Sequence, residues 1–575
     1  MLKKLTKFIS LLDNQSKKKL LLLIIFVFLG SVVEIFSFGV IMPLIDLTIN
    51  GENSYLTNNE IIKEFILSFE NKLQLLLYLA TFITIVFIIK NFYLIFLTWF
   101  NANFTNAVRV FLSSVYLNQI LINPYSYHLK NDSSKIIRDN FGEVTTVTKH
   151  LLFPTILTIL DLLTFFGLII LISFTNLEAS ILIFITITIF GFLYINIFKK
   201  KLNFFGKVRL DNDKKKIKII LESLNLIKIV SVKNVESFIL NRFKKADNKT
   251  VKSSIFNAVV LNSIRFILEI LMVIMFLLLI FLASISNYNI NDLFTYLIFL
   301  SVFFVRLLPS VNKFLVLLNN YNYYGKSLDN IYNDISGFEA NLKFNINKKI
   351  LKDNDFRETL KLNNASFSFE DKKVFENINL EIEKNKVTVV SGANGAGKST
   401  LINILLGLLP LKSGDYLIDN QKIIISNYNL SHLIGFVPQE INLIDDNIEN
   451  NIAFGKNDDE KDHKSINEIS KILQFDDLLT KRLNDKNFMV GENGQHISGG
   501  QRQKIVLARA LYGNPAIIIM DEPTSAFDNE NIELFYKLIE SLKNNKTFVI
   551  ISHDNKIKKL SNRNYHISNG IMQKI

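Results

Sequence analysis

Six stretches of at least about 20 residues are apolar almost throughout, near 20–48, 73–100, 151–173, 178–198, 258–286 and 292–320. A helix rises about 1.5 Å per residue, so about 20 residues cross a hydrocarbon core of about 30 Å. Soluble helices seldom stay apolar on every face for that long, because one side meets water. A cluster of buried soluble helices is therefore a poor reading, and six membrane spans are expected. All six precede about residue 320 of a 575-residue chain. The remainder is too long to share one core with them, so a membrane half followed by a soluble half is implied.

Orientation follows from charge. Segment 199–256 carries sixteen Lys or Arg against five acids, and 101–150 is also net positive. By contrast 49–71 holds Glu52, Glu60, Glu64 and Glu70 against Lys63 alone, and 287–291 is uncharged. Basic loops stay in the cytoplasm. Both termini and the two long polar segments are thus expected there, the segments as helical extensions around short turns, in a multi-pass protein of the inner (cytoplasmic) membrane. Much of the net charge of +13 is explained by this topology, so no nucleic-acid partner is expected. Lys3, Lys4, Lys7 and Lys17 to Lys19 precede the first run in the manner of a secretory signal. That run, however, extends from Leu20 to about Thr48 and shows no small-residue cleavage site, so it reads as an uncleaved span. The chain has no Cys, which excludes disulfides, thiolate metal sites and cysteine nucleophiles. The domains expected are 1–330 in the membrane, a polar linker over 331–358, and a soluble domain over 359–575.

Within the soluble half, the apolar strand Val387–Val390 runs into SGANGAGKST (391–400) and then the helical pattern LINILLGLL. Strand, glycine loop and helix together form the context of a phosphate-binding loop. Gly392, Ala393, Asn394, Gly395, Ala396 and Gly397 offer backbone N–H groups to phosphate oxygens, and the helix dipole adds to them. Lys398 is placed to reach the β- and γ-phosphates of ATP, Ser399 to ligate Mg²⁺, and Thr400 completes the loop. A second apolar run, Ala516–Met520, ends in Asp521 and Glu522. At such a strand end Asp521 suits a Mg²⁺ contact and Glu522 suits activation of water. A third, Thr547–Ile551, ends in Ser552 and His553. A lone His is usually structural, but this one follows a strand on the edge where ligands of such sheets gather.

These motifs resemble those of the ATP-binding-cassette (ABC) family. ISGGQ (497–501) is similar to its signature, FVPQ carries Gln439 like its glutamine loop, and SAFD (525–528) looks like its D-loop. Phe369 in SFSFE stands where members carry an adenine-stacking aromatic, most often Tyr. The resemblance implies an α-helical six-span exporter domain followed by an α/β P-loop ATPase domain that hydrolyses ATP with Mg²⁺. It places Glu522, His553 and Gln439 in catalysis, and Gln439 beside Ser399 and Asp521 at the metal. Ser498, Gly499, Gly500, Gln501 and Asp528 then complete the ATP site. In this family the signature of one chain closes over ATP held by another. One ATPase domain per chain therefore implies a homodimer, or a heterodimer with a related half-transporter. VGENG (490–494), NDSSKIIRDNFGEV (131–144) and LNLIKIVSVKNVESFILNRF (224–243) resemble exporter coupling segments.

VEIFSFGVIMPLI (33–45) and VRLLPSVNKF (305–314) resemble segments of bacterial lipid-linked oligosaccharide flippases, and NEIIKEFILSFE (59–70) their short external helix. The resemblance implies an anionic, lipid-like substrate in the bilayer. Charged residues inside spans usually face a partner or a wet cavity. Arg306, Lys313, Arg265 and Lys90 are the candidate cations. Arg265 and Glu269 are also spaced to pair along one helix, Glu34 to pair with Lys90, and Arg306 to neutralise Asp161 or Glu34. Alternatives are an exporter of hydrophobic drugs, peptides or other lipids, and a nucleotide-gated channel regulator. The last is disfavoured by an intact Glu522, and a leader-peptide exporter by the lack of a peptidase segment before the first span.

Overall fold

A computed structural model describes residues 2–41, 44–45, 72–175, 177–285, 290–336, 348–370, 372–524 and 527–575. The chain divides into two compact units, 1–123 with 131–339, and 124–130 with 340–575.

The first unit is helical. Its elements are α1 (Leu2–Ser10), α2 (Asn14–Gly39), α3 (Lys72–Ile122), a helical run from Ser133 to Thr175 (α4), α5 (Leu177–Asn225), α6 (Glu236–Ile285), α7 (Ile290–Tyr323) and α8 (Gly325–Ser336). Asp13 starts α2 by accepting from the N–H groups of Gln15 and Ser16, as a good N-cap does. Among the described residues, five stretches are long and apolar enough to cross a membrane, within α2 to α6. The 34-residue α7 covers the last expected span. Four of the five stretches run for 41–50 residues, or about 60–75 Å, roughly twice a hydrocarbon core. The polar segments 101–150 and 199–256 thus fall mostly on continuations of spanning helices. The external helix expected over 59–70 lies outside the described residues.

Two features of the first unit were not legible in its hydropathy. Helix α4 contains two π-helical stretches, Arg138–Glu143 and Thr148–Leu152, where the wider turn shifts which face points inward. The first brings Glu143 inside, where both terminal nitrogens of Arg209 donate to it at 3.1 and 2.9 Å. Arg209 also donates to Ser327 Oγ at 3.0 Å, so a bidentate fork ties α4, α5 and α8. The apolar faces pack as two clusters. Leu23, Val27, Leu97, Val108 and Leu160 belong to one, around α2, α3 and α4. Ile183, Tyr194, Ile264, Phe304 and Leu307 belong to the other, around α5, α6 and α7.

The second unit holds two main sheets, whose strands are numbered here, and a short two-stranded one. The strands are β1 (Thr359–Phe369), β2 (Lys372–Glu383), β3 (Val387–Gly392), β4 (Ser413–Ile418), β5 (Gln421–Ile423), β6 (Ile434–Val437), β7 (Ile517–Asp521), β8 (Thr547–Ile551), β9 (Arg563–Ser568) and β10 (Ile571–Lys574). The larger sheet runs β10–β9–β3–β8–β7–β6, parallel except for the antiparallel edge strand β10. Strands β3, β7 and β8 are buried along their whole length, which is why they read as unbroken apolar runs. The smaller sheet, β2–β1–β4–β5, is antiparallel. The linker expected over 331–358 coincides with the end of α8, with 337–347 outside the described residues, and with a two-residue strand, Lys349–Ile350, paired to Tyr428–Asn429.

Candidate active site

Strand β3 delivers the chain to the glycine loop, and α9 (Lys398–Leu405) carries it away. The loop needs glycine at two places for packing reasons. A Cβ on Gly392 would lie 2.4 Å from the Ile567 carbonyl oxygen, and one on Gly397, at φ +101°, would lie 2.9 Å from Val374 Cγ1. Backbone rather than side chains therefore lines the loop. Lys398 is buried within it, and its Nζ donates to Gly392 O at 2.6 Å and Ala393 O at 3.2 Å. A cavity of about 500 Å³ opens beside Ala393, Asn394, Gly395 and Ala396, with Val374 and Gly570 opposite. The Phe369 ring packs edge-on against Phe367 at 4.9 Å and is 41% exposed. A flat face is thereby free to stack on a base.

Because β8 lies between β3 and β7 in parallel register, the ends of all three strands bring their residues together. His553 Nε2 lies 3.3 Å from Lys398 Nζ. Gln439 Nε2 donates to Glu522 Oε2 at 3.1 Å, across 83 residues of sequence. Glu522 adopts φ +47°, a conformation that costs a non-glycine residue about 1–3 kcal/mol. Its N–H donates to Ile551 O at 3.0 Å, and that bond helps hold the turn.

The residues present fit a divalent cation bound with phosphates. Burial pushes the Asp521 carboxyl above the usual carboxylate range, the Glu522 charge adds to the push, and Lys398 opposes it. A cation at this point relieves both upward effects. Among the described residues no cluster of three or more His, Asp or Glu forms a closed cage. Mg²⁺ usually keeps several water or phosphate oxygens beside one or two protein ligands, which is the kind of site the expected ligands Ser399, Gln439 and Asp521 would make.

The signature residues open α10 (Gly499–Leu511). Ser498 caps it, its Oγ accepting from Gln501 N at 3.2 Å while Gln501 Oε1 accepts from Ser498 N at 3.2 Å. Gln501 Nε2 also donates to Asp476 at 3.0 Å. Gly499 and Gly500 thus begin a well-capped helix whose first turn suits an anion. Asp528 caps α11 (Asn529–Leu542), accepting from the N–H of Asn531 at 2.9 Å. Ser525 and Ala526 lie outside the described residues.

Motif reading passed over two side chains on α10. Gln503, 1% exposed, donates to Pro523 O at 2.8 Å. Arg509 donates to Asn451 O at 2.7 Å, Asn451 Oδ1 at 2.9 Å and Asn442 O at 3.0 Å, in the segment after Gln439. The available signal was a glutamine and an arginine six residues apart in the helix that follows the signature, the glutamine buried and the arginine half-buried.

In the first unit the four candidate cations do not share one setting. Arg306 Nη2 lies 2.6 Å from Glu34 and 3.0 Å from Asp161, and Lys313 Nζ lies 3.1 Å from Asp161. The two acids are almost wholly buried, so α2, α4 and α7 are joined through one ion-pair network. Lys90 Nζ stands over the rings of Phe87 at 4.0 Å and Phe38 at 5.1 Å. Arg265 pairs with Glu269 at 2.9 Å, both exposed, on the wall of a cavity of about 640 Å³ shared with Met272, Phe304, Leu308 and Asn312. Intrahelical pairing at Arg265 and acid neutralisation at Arg306 are the arrangements present.

Comparison with known proteins agrees with this architecture. Residues 20–307 match the ABC transporter transmembrane region and residues 375–525 match the ABC transporter family. A putative export ATP-binding/permease protein of Rickettsia felis is 36% identical over 212 residues, 36% of each chain. An ATP-dependent lipid A-core flippase of Desulfotalea psychrophila is 34% identical over 199 residues, and one of Colwellia psychrerythraea 38% over 203, each covering 34% of both chains. The matched part spans about a third of these curated relatives. A bacterial Atm1-family ABC exporter solved with ATP bound shares the fold, with TM-score 0.75 at 17% identity, over 97% of this chain and 95% of that one. Transmembrane and nucleotide-binding regions are thus fused in one polypeptide, and the chain belongs to the ABC transporter family.

Proposed function

We propose that this protein is an ATP-driven exporter of the inner membrane that flips an amphipathic, lipid-like substrate, with its ATPase unit in the cytoplasm. The observation that carries the ATPase reading is the pairing of Lys398 with His553 and of Gln439 with Glu522, beyond the ends of the neighbouring parallel strands β3, β8, β7 and β6. In this reading the glycine loop and Lys398 hold the phosphates and Phe369 stacks on adenine. Bound with ATP, Mg²⁺ neutralises phosphate charge. Ser399, Gln439 and Asp521 would hold it there. Glu522 orients and deprotonates the attacking water, while His553 stabilises charge on the transferred phosphoryl group. Ser498, Gly499, Gly500 and Gln501 serve ATP held by the partner chain, so two chains share two sites, with Asp528 near the shared edge.

The finer reading is an anionic lipid-linked oligosaccharide as cargo. Its support is the likeness of 33–45 and 305–314 to flippase segments, and four intramembrane cations, Lys90, Arg306, Lys313 and Arg265, against three acids, Glu34, Asp161 and Glu269. Glu522→Gln should abolish phosphate release while ATP stays bound. Near-normal hydrolysis by that variant refutes the base assignment. For the cargo, inverted vesicles are loaded with a fluorescent lipid-pyrophosphate oligosaccharide and its protection from external glycosidase is counted. Export of neutral drugs without any flipping of the glycolipid refutes the substrate.

A further inference from the structure

The turn that carries Glu522 is held in a conformation its sequence resists. Glu522 sits at φ +47°, in the left-handed region, immediately before Pro523. A residue before proline is pushed toward extended backbone by the pyrrolidine ring, so neither Glu522 nor its neighbour favours this geometry. Proline contributes no N–H. Two hydrogen bonds from elsewhere bracket the turn. On one side Glu522 N donates to Ile551 O at 3.0 Å. On the other, Pro523 O accepts from Gln503 Nε2 at 2.8 Å.

Gln503 is an unusual choice for such a bracket. Its side chain is 1% exposed, and its Oε1 is buried with no hydrogen-bond partner. A buried acceptor left unpaired is destabilising. Flipping the amide would not help, since it would set Oε1 against the Pro523 carbonyl oxygen. An apolar side chain of equal length avoids the orphaned atom altogether. What the amide supplies, and an apolar residue does not, is the donor to Pro523 O. Gln503 also lies within the first two turns of α10, so the capped signature helix and the Glu522 turn are joined by one side chain.

We propose that Gln503 is a positioning residue for Glu522. Its bond to Pro523 O holds the strained turn so that the Glu522 carboxylate stays within reach of Gln439 and of the attacking water. The proposal rests on Glu522 being the general base. Without the bond the turn relaxes toward extended backbone and the carboxylate moves. Displacements of about 1 Å at reacting groups cost on the order of 10²-fold in rate.

The test uses the full-length protein in lipid nanodiscs. Gln503→Met keeps length and removes both the donor and the orphaned acceptor. Its melting temperature should equal or exceed that of the unaltered protein and its KM for ATP should stay within about twofold, while kcat falls on the order of tenfold to a hundredfold. A packing role alone would not split kcat from KM in this way. Gln503→Leu likewise removes the donor and the unpaired acceptor, in a shorter side chain; it should lower kcat at least as far, and it serves if the methionine variant does not fold. Unchanged kcat in Gln503→Met or Gln503→Leu, with Glu522→Gln inactive, overturns the positioning role alone. Near-normal turnover by Glu522→Gln removes the base assignment and this proposal with it.

Discussion

Replacing Arg306 by methionine removes the one cation that, among the described residues, pairs with both Glu34 and Asp161. At an effective dielectric constant of about 20, its contact with Glu34 at 2.6 Å is worth about 6 kcal/mol of gross attraction, and that with Asp161 at 3.0 Å about 5.5. Desolvation of each ion offsets most of this, so the net loss depends on what is left behind. Asp161 keeps Lys313 at 3.1 Å. Glu34, 3% exposed, loses its only ion pair among the described residues. Stranding a buried charge in this way costs about 3–5 kcal/mol. Asp161→Asn should cost less, about 1–3 kcal/mol, because Arg306 keeps Glu34 and the Lys313 side chain is 52% exposed. The assay is thermal unfolding and the monodisperse fraction of each purified variant. A double-mutant cycle with Glu34→Gln completes it, and that change should recover at least half of the Arg306→Met loss. A different result refutes the reasoning: Arg306→Met as stable as the unaltered protein, uncoupled from Glu34, yet without substrate-stimulated ATPase. In that case Arg306 serves the cargo rather than the scaffold.

Lys398→Ala and Ser498→Arg should each silence a homodimer, whereas a tandem heterodimer of the two has one doubly damaged site and one intact site. It should turn over ATP; a silent heterodimer argues against composite sites. Asp419 gives a pH prediction. Partial burial pushes its carboxyl up, but the N–H groups of Thr359, Glu358 and Arg357, at 3.0, 2.8 and 2.7 Å, outweigh burial and hold it below the usual range. The stability it contributes is therefore present above the ordinary carboxylate value and lost as pH falls toward its depressed one. Asp419→Asn should be less stable at neutral pH and flatten the acid limb of a stability–pH curve. An unchanged limb removes Asp419 from that account.

The class of each element was legible from hydropathy and motif alone nearly everywhere among the described residues. A span must satisfy its backbone internally and meet lipid outside, so apolar runs of about 20 residues have few alternatives to a helix. Likewise a buried parallel strand meets apolar neighbours on both faces, which is why AIIIM and TFVII read as strands. The phosphate loop was legible because its chemistry is local: glycines, Lys398 and Ser399 act within one turn. Partnerships between distant residues were not. That Gln439 meets Glu522, that Arg306 takes both Glu34 and Asp161, and that Gln503 reaches Pro523 depend on which strand ends and helix faces become neighbours. A list of intramembrane charges permits several pairings with similar Coulomb energy, and only packing selects among them. The π-helical turns of α4 belong to the same class. They add no hydrophobic signal, yet they decide that Glu143 faces inward toward Arg209.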